Sequence, residues 1–444
     1  MTPRKVLPYL LLFLVLAGAY FGLTWRQERR EAQEEETKKV FAVTAEEIKD
    51  LALIKGPQEI HLAQQDKEWD LTKPLKARAD QQVVETMLST LARLKRERDL
   101  GTLEDLKPFG LDHPAFTVTF TAAGKPHQLV VGAKAPGGRS YYAFRDQERR
   151  VLLINSGDKE SLDRSLTVLR DKTLLAFSED QVKAVKLRVD HQKVELSRAA
   201  PRGWRWVGHE SAAVRTDRVE ALLRQLQNAR ARDFVTESPS NLTTYGLAPR
   251  PQGEVALETE KGPAVLYFGT KGKDGVYARL GPTGPVVVVD QDLPSRVAKA
   301  AASLEDRRLW KGDLSQVEKM VWGPAAKPWV AMKDKDFWKL TGPEGQEVRQ
   351  HAARVELALR HLQDLEYVRM LPAAPAPGAA AAAVALSDGS GKLLYRLEET
   401  GKKAGKELEV RAETGDKTAG AAISAKDYDY WQAEMERLTI PPKQ

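Results

Sequence analysis

The chain contains no cysteine among its 444 residues. This absence excludes disulfide bonds, thiol nucleophiles, thiolate zinc sites, iron–sulfur clusters and a bacterial lipoprotein anchor. It leaves the redox compartment open, because a chain without thiols tolerates either environment. The net charge is also small, because 69 Lys and Arg stand against 62 Asp and Glu. The basic clusters have acids interleaved and lie on or just after helix patterns, which indicates solvated helix faces and no nucleic-acid partner.

Sequence motifs that carry known chemistry are missing too. The seven histidines are scattered, and neither H-E-x-x-H nor G-x-S-x-G occurs. The glycine-rich stretch Gly269–Gly275 matches no phosphate-binding loop and is predicted to be a hairpin turn. Ser156–Lys159 matches S-x-x-K but lacks the partner motifs of penicillin-recognising enzymes. The sequence therefore predicts a protein that is not an enzyme, with no catalytic residue, no cofactor and no metal site.

What the chain does have is one long apolar run at its N-terminus. Val6–Trp25 contains twenty residues without a charge. Arg4 and Lys5 precede it, and Arg26, Arg29 and Arg30 follow it. A helix of that length spans about 30 Å, which matches a bilayer core. We therefore predict a transmembrane anchor in residues 1–25. The alternative is a secretory signal peptide cleaved near Ala19, after the A-x-A pattern of Ala17–Ala19.

A charge-dense stretch follows the anchor, and we predict a helical stalk over residues 26–45. The basic N-terminus resembles an export signal under either interpretation, and long domains translocate largely regardless of flanking charge. We therefore expect a short cytoplasmic tail, a single pass through the bacterial inner membrane and a body in the periplasm.

The rest of the chain repeats itself at an interval of about 135 residues. Tryptophan, an Asp that opens a Val/Leu-rich helix pattern, and an aromatic-Gly-Leu turn recur in the same order. The landmarks of the first copy are Trp69, Pro74, Asp80, Gly110, Leu111 and Pro114. Those of the second copy are Trp206, Asp217, Tyr245, Gly246 and Leu247. A degenerate third copy keeps Trp338 and a helix pattern but lacks the aromatic-Gly-Leu turn.

These landmarks divide the body into repeat units 46–178, 179–312 and 313–444. Alternating apolar residues predict hairpins and strands, and 3.6-residue periodicity predicts the helices. Asp80 and Asp217 stand where a helix N-cap belongs. We predict an α+β fold of tandem ββαββββα units, each a mostly antiparallel sheet with packed helices.

This combination of residues resembles a known family. A basic then apolar N-terminus, Trp69-x-Leu71-x-x-Pro74, Asp80, Gly110-Leu111, Pro114 and Arg170–Lys172 are similar to the domain-of-unknown-function 4340 (DUF4340) family. The resemblance implies a bacterial membrane-anchored envelope protein, of a kind often encoded beside gliding-type ABC transporter components. It implies no catalytic residue.

Three functions remain open at this stage. The first is a non-catalytic, membrane-anchored extracytoplasmic adaptor or scaffold, accessory to an ABC-type transporter complex whose subunits are its protein partners. The second is an envelope protein that binds glycan or lipid, which exposed aromatic residues in a groove between units would favour and fully buried tryptophans would weaken. The third is an enzyme whose site is assembled between repeats.

Overall fold

The structure is a computed structural model that describes residues 20–21, 36–200, 203–209, 212–376 and 382–441. The chain forms two compact units. One consists of Met1–Ala176, Gln227–Arg250 and Phe268–Gln291, and the other of Phe177–Leu226, Pro251–Tyr267 and Asp292–Gln444. The predicted anchor, Val6–Trp25, lies outside the described residues except for Tyr20 and Phe21. Within the described part of the chain, no helix has both the length and the apolar character needed to span a bilayer.

The first sheet has nine strands in the order β4-β3-β2-β1-β6-β7-β8-β9-β5, and its paired strands are antiparallel. The strands are β1 (Ile48–Lys55), β2 (Gln58–Gln65), β3 (Glu68–Lys73), β4 (Ala77–Arg78), β5 (Arg98–Thr102), β6 (Phe116–Ala122), β7 (Lys125–Lys134), β8 (Ser140–Arg145) and β9 (Arg150–Asn155).

The second sheet has eight strands in the corresponding order, β12-β11-β10-β14-β15-β16-β17-β13. The strands are β10 (Val182–Val189), β11 (Gln192–Ala199), β12 (Gly203–Trp206), β13 (Asp233–Thr236), β14 (Gly253–Thr259), β15 (Gly262–Lys271), β16 (Val276–Leu280) and β17 (Val286–Val289).

The third sheet returns to nine strands, in the order β21-β20-β19-β18-β23-β24-β25-β26-β22. The strands are β18 (Lys319–Pro324), β19 (Trp329–Asp334), β20 (Phe337–Thr341), β21 (Glu347–His351), β22 (Tyr367–Met370), β23 (Ala382–Ser387), β24 (Leu393–Ala404), β25 (Glu407–Thr414) and β26 (Lys417–Ser424). The predicted α+β class of mostly antiparallel, repeated sheets is confirmed, and we call the three sheets with their helices the first, second and third repeat.

Each repeat has a main helix after its first strands and closing helices after its last long strand. The main helices are α1 (Gln81–Arg93), α4 (Thr216–Gln227) and α6 (Ala352–Gln363). The closing helices are α2 (Ser156–Leu162), α3 (Leu166–Leu169), α5 (Leu293–Ala302) and α7 (Ala425–Leu438). A 3₁₀ turn precedes the first strand of each repeat, at Ala45–Glu47, Glu179–Gln181 and Leu314–Gln316.

The main helices form where the apolar periodicity predicted them. Val84, Met87, Leu88 and Leu91 of α1 are buried, and α4 and α6 bury a corresponding stripe. In the first repeat this stripe joins the sheet residues and Trp69 in one hydrophobic cluster. Burial of such a face, rather than intrinsic helix propensity, is the main source of stability for helices of this length.

The predicted order ββαββββα was incomplete. Three full strands and the two-residue β4 precede α1, and a further short strand, β5, follows it and pairs with β9 at the sheet edge. The alternation of apolar and polar residues in β1 is interrupted, because the pairing of β1 with β6 shifts register between Ile48 and Asp50. The strand β5, Arg-Asp-Leu-Gly-Thr, is short and polar, as edge strands often are.

Two landmarks of the second repeat were assigned two positions too far along the chain. Trp69 and Trp338 are each the second residue of their strand, and Trp204 holds that place in β12. Trp204 is buried whereas Trp206 is partly exposed. Because strand side chains alternate between faces, a shift of two residues preserves the apolar pattern and conceals the error.

The same shift affects the predicted helix cap. The Asp80 carboxylate accepts hydrogen bonds from the N–H groups of Gln82 and Val83, so it caps α1 as predicted. Asp217 lies within the first turn of α4 instead, and Arg215 occupies the position that corresponds to Asp80. The prediction that Asp217 is an N-cap was therefore wrong.

The two tryptophans of β12 provide a test of this register. We expect Trp204→Ala to lower the free energy of unfolding by about 3–5 kcal/mol, as for a buried tryptophan. Trp206→Ala should cost clearly less, because its side chain is only partly removed from water. Urea unfolding followed by circular dichroism measures both, and a larger loss for Trp206→Ala would contradict the assignment.

Candidate functional site

The first-copy landmarks are spread over two hydrophobic clusters. Trp69 lies in the main cluster under α1, whereas Leu111 lies in a small separate cluster with Val130 and Val151. Pro74 follows β3 through a cis peptide bond, and Pro114 lies between Leu111 and β6. The structure therefore does not bring the landmarks together around one cleft, and their observed contacts are those of packing and turn formation.

One residue that the sequence did not single out holds the backbone of Trp69 beside the start of α1. The Gln81 side chain accepts a hydrogen bond from the Trp69 N–H at 2.7 Å. Its amide donates to the carbonyl oxygens of Trp69 and Ala79 at 2.9 and 2.8 Å. Gln81 thus fastens the β3 backbone to the start of α1, next to the Asp80 cap.

The aromatic-Gly-Leu turn requires two glycines, of which the sequence identified one. Gly110 and Gly246 adopt φ values of 63° and 66°, a conformation that favours glycine. A Cβ on Gly132 would lie 2.4 Å from the Phe109 carbonyl oxygen, and one on Gly269 would lie 2.0 Å from that of Tyr245. Gly132 and Gly269 are thus required by the close approach of the turn, and their interval is the only signal that could have revealed them.

The most unusual chemistry lies in the two segments that connect successive repeats, which we call junction segments: residues 169–174 and 304–309. Among the described residues, the buried charged side chains are Arg170, Arg215 and Asp306. Two of them belong to the junction segments, and Arg215 is hydrogen-bonded to the second one through its backbone. Buried charge is costly unless it is paired, so these positions are the best candidates for a specific role.

The first junction segment is hydrogen-bonded on both sides. Leu169 and Asp171 bond to the backbone at residues 78–80 of the first repeat, at 2.8 and 2.9 Å. Lys172 and Leu174 bond to Ala231 and Ala229 of the second repeat, at 2.7 and 3.4 Å.

An ion pair reinforces this first junction. The Arg170 guanidinium pairs with both carboxylate oxygens of Glu237, and its Nη2–Oε2 distance is 2.9 Å. The guanidinium carbon also lies 3.6 Å from the centre of the Phe234 ring. The bidentate pair and the cation–π contact compensate for the burial of the arginine.

The second junction segment repeats the backbone scheme. Leu304 and Asp306 bond to Arg215 and Ala213 of the second repeat, both at 2.8 Å. Leu309 and Arg307 bond to Leu365 and Tyr367 of the third repeat, at 3.4 and 3.0 Å.

The charges at the second junction are arranged differently. Arg215 donates to both carboxylate oxygens of Asp217 at 2.9 and 2.8 Å and lies 3.2 Å from Asp364 of the third repeat. Arg218 lies 2.7 Å from Glu366, also of the third repeat. Asp306 accepts two hydrogen bonds from Arg308 at 2.8 and 2.9 Å. Asp217 thus acts as an ion-pair partner of Arg215 and not as a cap.

The pairing alters proton affinity at this junction. Hydrogen bonds with Asp217 are the largest influence on Arg215 and raise the pKa of its guanidinium, although burial opposes this. Burial by itself would raise the pKa of Asp306, but the hydrogen bonds and positive charge of Arg308 outweigh it and lower that pKa below 3.8. Both groups therefore stay charged at neutral pH.

The same backbone clamp precedes the first repeat. Val40 donates to Leu94 at 2.8 Å, and Arg96 donates to Lys38 at 2.9 Å. Val40 and Phe41 are buried in the core of the first repeat. Residues 38–41 are therefore part of this repeat, whereas the sequence assigned them to the stalk.

The third repeat ends differently. Gln350, which corresponds to Ala79 and is 1% exposed, donates its side-chain amide to the carbonyl oxygens of Leu438 and Ile440 at 2.7 and 2.8 Å. A side chain thus satisfies the carbonyl groups at the end of α7. In the first two repeats, the backbone N–H groups of Asp80 and Arg215 satisfy the corresponding carbonyl groups of Leu169 and Leu304.

Histidine chemistry is confined to local pairs. His127 Nδ1 lies 3.2 Å from the Asp146 carboxylate, and its ring stacks on Phe120. Across the described ranges, no three His, Asp or Glu side chains are placed to hold a metal ion.

The second junction generates a pH prediction. Because the folded-state pKa of Asp306 is lowered, its stabilisation is present at neutral pH and is lost as the pH falls below about 4. We expect Asp306→Asn to cost about 2 kcal/mol at pH 7 and the two proteins to converge in acid. Urea unfolding at several pH values measures this. Asp416→Asn, in an exposed turn, is the control, and a loss that persists unchanged in acid would contradict the assignment.

Comparison with known proteins identifies the family. The model for Domain of unknown function (DUF4340) matches residues 69–235 and 204–384. The two matches begin at Trp69 and Trp204, the tryptophans that share a position in the hairpin register. No curated protein matches the chain. Since the two segments together cover well over half of its length, the chain belongs to the DUF4340 family.

Proposed function

We propose that this protein is a non-catalytic scaffold, anchored in the bacterial inner membrane by Val6–Trp25, whose repeats face the periplasm and hold subunits of an ABC-type transporter complex. The observation that carries the proposal is the concentration of buried charge at the junctions. Paired buried charges add less to stability than an apolar core does, but they can specify one arrangement. A protein that presents binding surfaces in a defined register benefits from such specificity.

The position of the tryptophans supports a scaffold over a repeated ligand-binding surface. Trp69, Trp204 and Trp338 are 3%, 6% and 1% exposed, so they serve as core residues. A glycan platform at these positions would need exposed rings.

Membrane topology provides the first test. Spheroplasts that contain the protein with a C-terminal tag should lose the tag when protease is added outside, because the body is expected to lie in the periplasm. The tagged protein should also remain in the membrane fraction after a carbonate wash, since an uncharged run of twenty residues anchors stably. Protection of the tag in intact spheroplasts, with digestion only after lysis, would overturn the orientation.

Recovery of partners provides the second test. Affinity purification from detergent-solubilised membranes should recover a permease or an ATPase of the ABC type. Glu237→Arg, which opposes Arg170 with a like charge, should reduce the recovery by disturbing the first junction. The double exchange Arg170→Glu with Glu237→Arg restores opposite charges and should regain at least part of it.

An unrelated single-pass protein with the same tag is the control for this experiment. Consistent absence of any transporter subunit from the wild-type purification would refute the proposed partner class. Equal recovery with Glu237→Arg would refute the role of the junction.

A further inference from the structure

The third repeat contains a cavity that the scaffold role does not use. It has a volume of about 290 Å³ and lies between the β18–β19 hairpin and α7. Trp322 and Trp329 line it from the hairpin, and Tyr428, Trp431 and Met435 line it from the helix. This volume is at the lower end of the range for small-molecule sites, so it suits one compact chemical group rather than an extended chain.

The aromatic lining is a departure from the repeat. Trp322 pairs with Trp329 across the hairpin. The corresponding pairs are Leu53 with Ile60 in the first repeat and Leu187 with Val194 in the second, and all four of these side chains are buried. Aliphatic residues therefore meet the packing needs of this position. Packing at this position thus does not require a tryptophan pair, and Trp329 remains partly exposed.

The rings surround the cavity from two sides. The Trp322 and Trp329 ring centres are 6.0 Å apart at an interplanar angle of 19°. Across from them, the rings of Tyr428 and Trp431 are 5.5 Å apart and tilted by 42°. Aromatic faces carry partial negative charge, and several of them around one space attract a cation, most strongly where tryptophan is involved.

The polar side chains of the cavity point to the same chemistry. The Thr439 hydroxyl is engaged with the Glu436 carbonyl oxygen at 2.7 Å, and the Gln432 side chain is hydrogen-bonded to Tyr428. The Glu436 side chain is exposed, and its carboxylate has no ion-pair partner among the described residues. The neighbouring Arg437 is paired with Glu434 instead. A negative charge without a partner therefore stands at the rim of an aromatic cavity.

We propose that this cavity binds a quaternary ammonium group of the choline type. The methylated nitrogen packs against the aromatic lining, with the partly exposed Trp329 ring as its main contact, and the Glu436 carboxylate balances its charge from the rim. A sugar would need several accessible hydrogen-bonding groups beside the rings. The Gln432 and Thr439 side chains are already engaged, and the unpartnered Nε1 of Trp431 is buried.

Isothermal titration of the detergent-solubilised full-length protein with choline tests this proposal. Choline should bind, and its carbon isostere, in which a quaternary carbon replaces the nitrogen, should bind at least about threefold more weakly, because only the cation gains the interaction with the rings. Equal affinity for both compounds, or no binding of choline, would overturn it. Binding of glucose or N-acetylglucosamine in place of choline would overturn it as well.

Two variants separate binding from folding. Trp329→Val introduces the residue type found at this position in the second repeat and should weaken choline binding about three- to thirtyfold. Glu436→Gln changes an exposed residue, leaves the fold intact and should weaken binding about two- to fivefold. The matched control is Glu434→Gln, which removes the same charge from the same helix and should leave the affinity unchanged. An equal loss in Glu434→Gln and Glu436→Gln would contradict a local role for Glu436.

The source of the group is distinguished by vesicles. Binding to phosphatidylcholine vesicles, with competition by free choline, would identify a lipid headgroup. Binding of choline without binding to vesicles would identify a free solute. Both results support the site. Cation recognition would be contradicted if phosphatidylglycerol vesicles bound as tightly as phosphatidylcholine vesicles and Trp329→Val weakened both to the same extent.

Discussion

The pairing of buried charge at the junctions is the constraint on which the connection of the repeats depends. Arg170 and Arg215 would each be strongly unfavourable in the interior without their carboxylate partners. Their partners include Glu237 and Asp364, which lie in the next repeat. Arg170 therefore finds its carboxylate partner only when the next repeat is folded, whereas Arg215 is shared between Asp217 of its own repeat and Asp364 of the next. This couples neighbouring repeats through the free-energy penalty of separating paired charges.

Backbone hydrogen bonds couple neighbouring repeats as well, without the help of side chains. Each junction segment occupies hydrogen-bonding groups of the repeat before it and of the repeat after it. Since unpaired backbone groups are costly when buried, the segments contribute to the fold of both neighbours. Nearest-neighbour coupling of this kind is typical of repeat proteins, in which stability is shared between units and their contacts. It also explains why the similar stretches Leu-Arg-Asp-Lys and Leu-Glu-Asp-Arg recur in the two junction segments, although they lie outside the strands of the sheets.

Sequence periodicity predicted the helices and the antiparallel sheets, because burial of an apolar face leaves a regular pattern in the chain. The Asp80 cap followed from its place before a helix pattern, and the family from the resemblance of its motif residues. Periodicity misplaced Trp206 and Asp217, since a two-residue shift keeps a strand's buried face. It missed Gly132 and Gln81, whose roles depend on distant backbone. It gave no warning of the Arg170–Glu237 pair, because partners 67 residues apart carry no spacing signal. Comparison of the repeats could not reveal the tryptophan pair of the third repeat, because this pair has no counterpart in the first two.

Gln350 has a consequence for how the third repeat is held together. Its side-chain amide donates to the carbonyl groups of Leu438 and Ile440, whereas the first and second repeats use backbone N–H groups beside a junction segment. One side-chain amide therefore does in the third repeat what backbone N–H groups do in the first two, so the end of α7 depends on the identity of a single residue.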